Sequence, residues 1–138
     1  KNGPPPEINL FNEKNNGESI LNLIDKGYVK SAHDISLGGL LVAISKMCIK
    51  GNKGIKINKS KNLINEIEYF FAEDQGRYLI EVNKENLKEV TKILDKNSVH
   101  HEELGIITQN YMIINEKTKV TIDELKSYYT NWLSRYMS

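Results

Sequence analysis

The densest cluster of chemically capable residues is the run Ser31-Ala32-His33-Asp34-Ile35-Ser36-Leu37-Gly38-Gly39-Leu40. A strand-like stretch ends there in polar residues, and two glycines precede a strongly apolar segment. Glycines let the backbone approach a ligand closely, and the N–H groups of a first helical turn are natural anion donors. Gly38 and Gly39 therefore mark a candidate phosphate site. Asp34 is placed to hold a phosphate-bound cation, because Mg2+ on a nucleotide takes one or two carboxylates and completes its shell with phosphate oxygens and water. Ser36 either donates to the same phosphate or caps the helix. A purely structural reading, an N-cap beside a glycine turn, stands next to the phosphate reading for the whole run.

His33 is a second candidate at this site, although a histidine among small strand neighbours equally suits a hydrogen-bonded core group. A further polar cluster, Glu73-Asp74-Gln75-Gly76-Arg77, sits just ahead of another strand-like run. Asp74, Gln75 and Arg77 form either an ion-paired corner or a second wall of the ligand site. His100 and His101 have no accompanying Cys or spaced carboxylate pair for zinc and read as surface residues. No nucleophile or general base stands out, so catalytic residues are unassigned.

These residues need a scaffold, and the apolar spacing supplies one. Leu10 to Lys26 predicts a helix, with Gly17 as a candidate break and Gly27 as its stop. Tyr28 to Ile35 reads as a short strand, and Gly38-Gly39 open a second helix to about Lys50. That helix is apolar nearly all round and is expected to be the most buried. Ile55 and Ile57 alternate with lysines as in a half-buried strand, and a short apolar patch runs from Leu63 to Phe71. Tyr78–Val82 is a strand, about Glu85 to Lys96 an amphipathic helix, and Leu104–Thr108 and Tyr111–Ile114 two more strands. Thr121 with Glu124 makes a capping-box pattern. Leu125, Tyr128, Tyr129, Trp132, Leu133 and Tyr136 then share one helical face, whose spacing predicts core packing. The expected fold is α/β (α+β), a mixed sheet with flanking helices, in which the order β-α-β-β resembles half of a ferredoxin-like element.

At 138 residues the chain is sized for one core, and residues 7–138 are expected to form a single domain. Residues 1–6, rich in proline, read as a linker between domains with further chain ahead of them. Nineteen Lys plus Arg nearly cancel eighteen Asp plus Glu, so no net field favours nucleic acid or an anionic membrane as partner. No apolar stretch approaches the roughly 18 residues of a membrane span. The lone Cys48 lies in an apolar run, which suits a reducing compartment, and the cytoplasm is the expected location.

The motifs resemble those of the phosphoribosylformylglycinamidine synthase family, specifically its C-terminal domain, within the aminoimidazole ribonucleotide synthase superfamily. Gly3-Pro4-Pro5-Pro6 with Glu13–Gly17 is similar to the start of that domain, and His33-Asp34-Ile35-Ser36 with Gly38-Gly39-Leu40 to its His-Asp-x-Ser-x-Gly-Gly-Leu signature. Phe71–Arg77 resembles its Phe-Gly-Glu-(Ser/Asp)-Gln-x-Arg segment. Leu104–Ile107 and the ending through Trp132–Met137 resemble its last strand and helix. Leu37 stands where members of the family often have an acid, and Gly76 where they vary.

The resemblance implies an ATP-dependent ligase that activates the formamide oxygen of formylglycinamide ribonucleotide and replaces it with glutamine-derived ammonia. It implies ATP and Mg2+ as cofactors, with Asp34 as a Mg2+ ligand and Ser36 in contact with nucleotide phosphate. The implied partners are the remaining domains of the ligase, a glutaminase and a small accessory subunit. Such enzymes hold two non-equivalent nucleotide sites, one catalytic and one structural, and the resemblance leaves open which one Asp34 serves. A fragment of this size is expected to be inactive alone. The competing expectations are a domain of another enzyme of the superfamily, or a non-catalytic α/β assembly module.

Overall fold

The computed structural model describes residues 7–57 and 65–138. The expected linker at residues 1–6, and Leu63 and Ile64 of the apolar patch, lie outside the described residues. In chain order the elements are α1 (Leu10–Asp25), β1 (Val29–Asp34), α2 (Gly39–Gly51), β2 (Gly54–Ile57), α3 (Glu66–Phe71), β3 (Tyr78–Val82), α4 (Leu87–Lys96), β4 (Gly105–Thr108), β5 (Tyr111–Ile114), β6 (Thr118–Thr121) and α5 (Ile122–Met137). They fall into two compact groupings, residues 7–43 with 70–102, and residues 44–57 and 65–69 with 103–138.

In the first grouping β1 and β3 form an antiparallel pair in the register Ala32↔Ile80 and Asp34↔Tyr78. Its core joins Leu23, Val90 and Leu94 with Val29, Ile80 and Val82, the inward faces of α1, α4 and the two strands. Full burial of Leu23, Val90 and Leu94 contributes about 1.5–3 kcal/mol each, and Val29, Ile80 and Val82, partly buried against them, anchor a two-stranded ribbon that would be marginal alone. The helix α1 runs unbroken through Gly17, so the candidate break is not used. It ends in a Schellman arrangement: Gly27, at φ +70°, donates to the Ile24 carbonyl, and Tyr28 donates to that of Leu23. The buried Ser19 accepts from the Asn97 side chain at 3.0 Å, and Asn15 donates to the Asn97 carbonyl at 2.7 Å, tying α1 to the end of α4.

The second grouping carries a four-stranded sheet in the order β4-β2-β5-β6. β2 is central, antiparallel to β4 and parallel to β5. Ile55 and Ile57 lie on its buried face and Lys56 on the part-exposed one, the half-buried alternation that the lysines suggested. Gly54 and Gly105 are needed for strand approach, since a Cβ on either would overlap a neighbouring carbonyl oxygen. β6 is absent from the expected elements; it pairs with β5 after Asn115 and Glu116 reverse the chain in the left-handed region. The expected β-α-β-β order is present, with its strands distributed over the two sheets: β3 pairs with β1, and β4 and β5 flank β2.

Two expectations about helices have different outcomes. α2 is as buried as its composition predicts: Leu40, Ala43, Ile44 and Cys48 are buried and only Lys50 and Gly51 are exposed. In α5 the capping box is fully formed, with Thr121 Oγ1 accepting from Glu124 N–H while the Glu124 carboxylate accepts from Thr121 N–H. The aromatic stripe, however, does not pack into this chain's core. Ile122 is buried, but Tyr128, Tyr129, Trp132, Leu133 and Tyr136 are all at least half exposed.

Candidate functional site

The polar end of β1 opens onto a cavity of about 240 Å³ lined by Glu13, Asp34, Ser36, Gln75, Arg77 and their neighbours. The local sequence explains its shape. β1 and β3 stay paired to Asp34↔Tyr78, and the Ile35 N–H then donates to the Arg77 carbonyl at 2.8 Å. Ile35 is buried, which turns Asp34 and Ser36, on either side of it, outward. Gly38 (φ +87°) and Gly39 (φ +68°) reverse the backbone into α2 through a conformation that side chains disfavour.

The structure brings together Asp34, Ser36, Asp74, Gln75 and Arg77 around this cavity. It does not bring in His33. His33 is outside the lining, with its Nδ1 2.6 Å from the Asp34 carbonyl oxygen and 3.5 Å from the Asp34 carboxylate. Gly38 and Gly39 are likewise outside the lining, and their N–H groups are not open anion donors. Gly38 donates to Glu73 Oε1 at 2.7 Å, and Gly39 to the Ser36 carbonyl at 2.9 Å. The two glycines shape the corner instead.

Asp74 and Arg77 meet as an ion pair at 2.9 Å, the structural alternative for this cluster. The pair is half-exposed and contributes little stability, on the order of 0–1 kcal/mol. Its effect is to fix the rim, and Gly76 (φ +68°) lets the turn pass under α1, where Asn16 donates to the Gly76 carbonyl. Glu13 of α1, in the segment that resembles the start of the family's domain, also reaches the cavity, a place its neighbours in the sequence do not indicate. Glu73 was legible as one member of a polar cluster, but its bond to Gly38 was not. His101 sits against the Val99 carbonyl and Asp95, and His100 is exposed.

The chemistry of the lining is acidic: Glu13, Asp34, Glu73 and Asp74 face one guanidinium. A bare phosphate would be repelled, whereas a cation shared between a carboxylate and a phosphate would be attracted. Among the described residues no group of three or more His, Cys, Asp or Glu is arranged to hold a metal by itself. A cation at Asp34 would therefore take most of its oxygens from its ligand and from water, which is how Mg2+ is normally held on nucleotides. The donor set fits that ion. The volume is below the roughly 300–1,000 Å³ of a complete small-molecule pocket, so the cavity suits a phosphate group and its cation.

Together these features define a mixed α/β domain that presents one polar edge on a strand–glycine turn–helix corner. The chain belongs to the family described as AIR synthase related protein, C-terminal domain, whose model matches residues 2–114. It is 63% identical over 137 residues to the phosphoribosylformylglycinamidine synthase subunit PurL of Pelagibacter ubique, covering 99% of this chain and 19% of that protein. The corresponding subunit of Bartonella henselae is 36% identical over 135 residues, covering 98% of this chain and 18% of that one. The chain thus spans about a fifth of the length of the curated relatives it matches.

Solved structures share the fold. PurLQS from Thermotoga maritima superimposes with a TM-score of 0.76 at 20% identity, over 87% of this chain and 22% of that one. PurL of the same organism in complex with FGAR gives 0.70 at 21% identity, over 82% and 20% of the two chains. Its complex with ATP gives 0.69 at 20%, over 81% and 21%.

Proposed function

We propose that residues 7–138 act as one C-terminal domain of a phosphoribosylformylglycinamidine synthase and supply one edge of its Mg-nucleotide site. The observation that carries this is the placement of Asp34 and Ser36 together on the cavity, turned outward around the buried Ile35. Family membership and the relatives named as this synthase support it. In the whole enzyme the reaction is the ATP-dependent conversion of formylglycinamide ribonucleotide to its amidine with ammonia from glutamine.

Each residue has a limited task. Asp34 would hold the cation by its carboxylate, and Ser36 would donate its hydroxyl to the phosphate. Gly38 and Gly39 hold the corner, and His33 buttresses it through the Asp34 carbonyl. The Asp74–Arg77 pair and Gln75 form the rim. Mg2+, when bound, would neutralise phosphate charge that the acidic lining would otherwise repel. The residues that act on the formamide and on ammonia belong to the remaining domains, and the partners are a glutaminase and a small accessory subunit. The setting is the cytoplasm; among the described residues no helix is long and apolar enough to cross a membrane.

The test is turnover by the full-length protein supplied with ATP, Mg2+, formylglycinamide ribonucleotide and ammonia. Formation of ADP and the amidine product is expected. A folded full-length protein that consumes no ATP with this substrate, but turns over another ribonucleotide or a kinase substrate, would move the domain to a different enzyme of the superfamily.

A further inference from the structure

Three ties run from segment 70–77 to the loop 34–39. The Ile35 N–H donates to the Arg77 carbonyl at 2.8 Å. Gly39 lies against the Phe70–Phe71 backbone, where an added Cβ would meet the Phe71 Cα at 2.7 Å and the Phe70 carbonyl oxygen at 2.8 Å. The Gly38 N–H donates to Glu73 Oε1 at 2.7 Å. Of these three, Glu73's alone is made by a side chain, and it falls between Ser36 and the start of α2, at the point where Gly38 turns left-handed.

We infer that Glu73 is a positioning residue: its carboxylate fixes the Gly38 turn and so aims Ser36 and Asp34 at the cavity. This rests on the reading of Asp34 and Ser36 given above. Gly38 stands just ahead of α2, where N–H groups have no partner in the helical ladder, and its N–H takes the Glu73 carboxylate. A carboxylate forms a stronger bond than a neutral acceptor, and the short distance matches a charge-assisted contact. The neighbouring ties constrain the two flanks of the loop, at Ile35 and Gly39, and Glu73 holds its middle. Segment 71–77 is then both the rim of the cavity and, through Glu73, the clamp of the loop that carries Asp34 and Ser36.

The experiment uses the full-length protein with Glu73→Ala and Glu73→Gln, read by hydrogen exchange of residues 34–39 and by KM and kcat for ATP. Glu73→Ala is expected to speed exchange at 34–39 and raise KM roughly tenfold, the scale of one lost charge-assisted bond. Exchange in β3 should be unchanged and kcat should stay within about twofold of the parent. Glu73→Gln keeps an oxygen acceptor and should return both quantities to within about threefold of the parent. Unchanged exchange at 34–39 in Glu73→Ala, or equal acceleration in β3, overturns the inference. So does a Gln variant no better than Ala, which would make the charge itself the ligand. Asp34→Ala and Ser36→Ala run alongside: parental nucleotide affinity in both would sink the site assignment, while exchange at 34–39 still reports on the clamp.

Discussion

Gly39 packs so closely on Phe71 that a Cβ on the glycine would lie 2.7 Å from both the Cα and the carbonyl carbon of Phe71. The obstacle is backbone, which cannot swing aside. Gly39→Ala therefore carries two penalties, the left-handed strain of about 1–2 kcal/mol and displacement of the 70–71 backbone. Gly27→Ala carries only the first, since nothing lies within 4 Å of that position and its φ is +70°. Denaturant unfolding should show Gly27→Ala costing about 1 kcal/mol and Gly39→Ala at least twice that. Equal costs would contradict the packing of Gly39.

That contrast shows where the sequence was informative. Glycine type and the polar residues before it placed the corner correctly, because glycine turns and helix starts are local. The strand and helix order was legible for the same reason, from the alternation at Tyr78–Val82 to the period of Leu87, Val90 and Leu94. Non-local facts were hidden. Nothing near Gly38 in the sequence says that its N–H is taken by Glu73, or that Glu13 reaches the cavity. β6 was missed because four residues with one aliphatic side chain carry little alternation signal. The α5 stripe was read as core because helical spacing reports an apolar face without reporting what covers it.

Cys48 gives a prediction about reactivity and pH. Burial pushes its thiol up from the ordinary 9.0 to about 11. The folded state holds the proton more tightly than the unfolded state, so this contribution is intact below pH 9 and is lost as pH rises from 9 to 11. Thiol-specific reagents at pH 8 should label Cys48 slowly in the native chain and quickly in denaturant. Rapid native labelling would show the site to be open.

Loss of the α5 cap should be measurable and pH-dependent. Thr121→Ala removes the acceptor for the Glu124 N–H and one donor to its carboxylate, and should cost about 1 kcal/mol at neutral pH. The Thr121 hydroxyl, and after it the Thr121 backbone N–H, hold Glu124 below the ordinary carboxylate value of 4.5. That contribution is present above 4.5 and is lost as pH falls through the lowered value, so the gap between parent and variant should narrow in acid to the part owed to the Thr121 Oγ1 acceptor, which does not titrate. A difference that stays constant to low pH would show that Glu124 takes no part.

The chain has a single tryptophan, Trp132, and it is 61% exposed on α5. In the 138-residue chain its fluorescence should resemble that of indole in water and be readily quenched by iodide. A blue-shifted, protected emission would mean that the aromatic face is covered in that chain.

Calorimetric titration of Mg-ATP into the full-length protein, parent against Asp34→Ala, tests the site itself. Affinity is expected to fall roughly tenfold or more when this carboxylate is removed, and the nucleotide's thermal stabilisation to shrink with it, while the nucleotide-free fold is unchanged. Identical affinity and identical nucleotide-dependent stabilisation in the two proteins would contradict the site assignment.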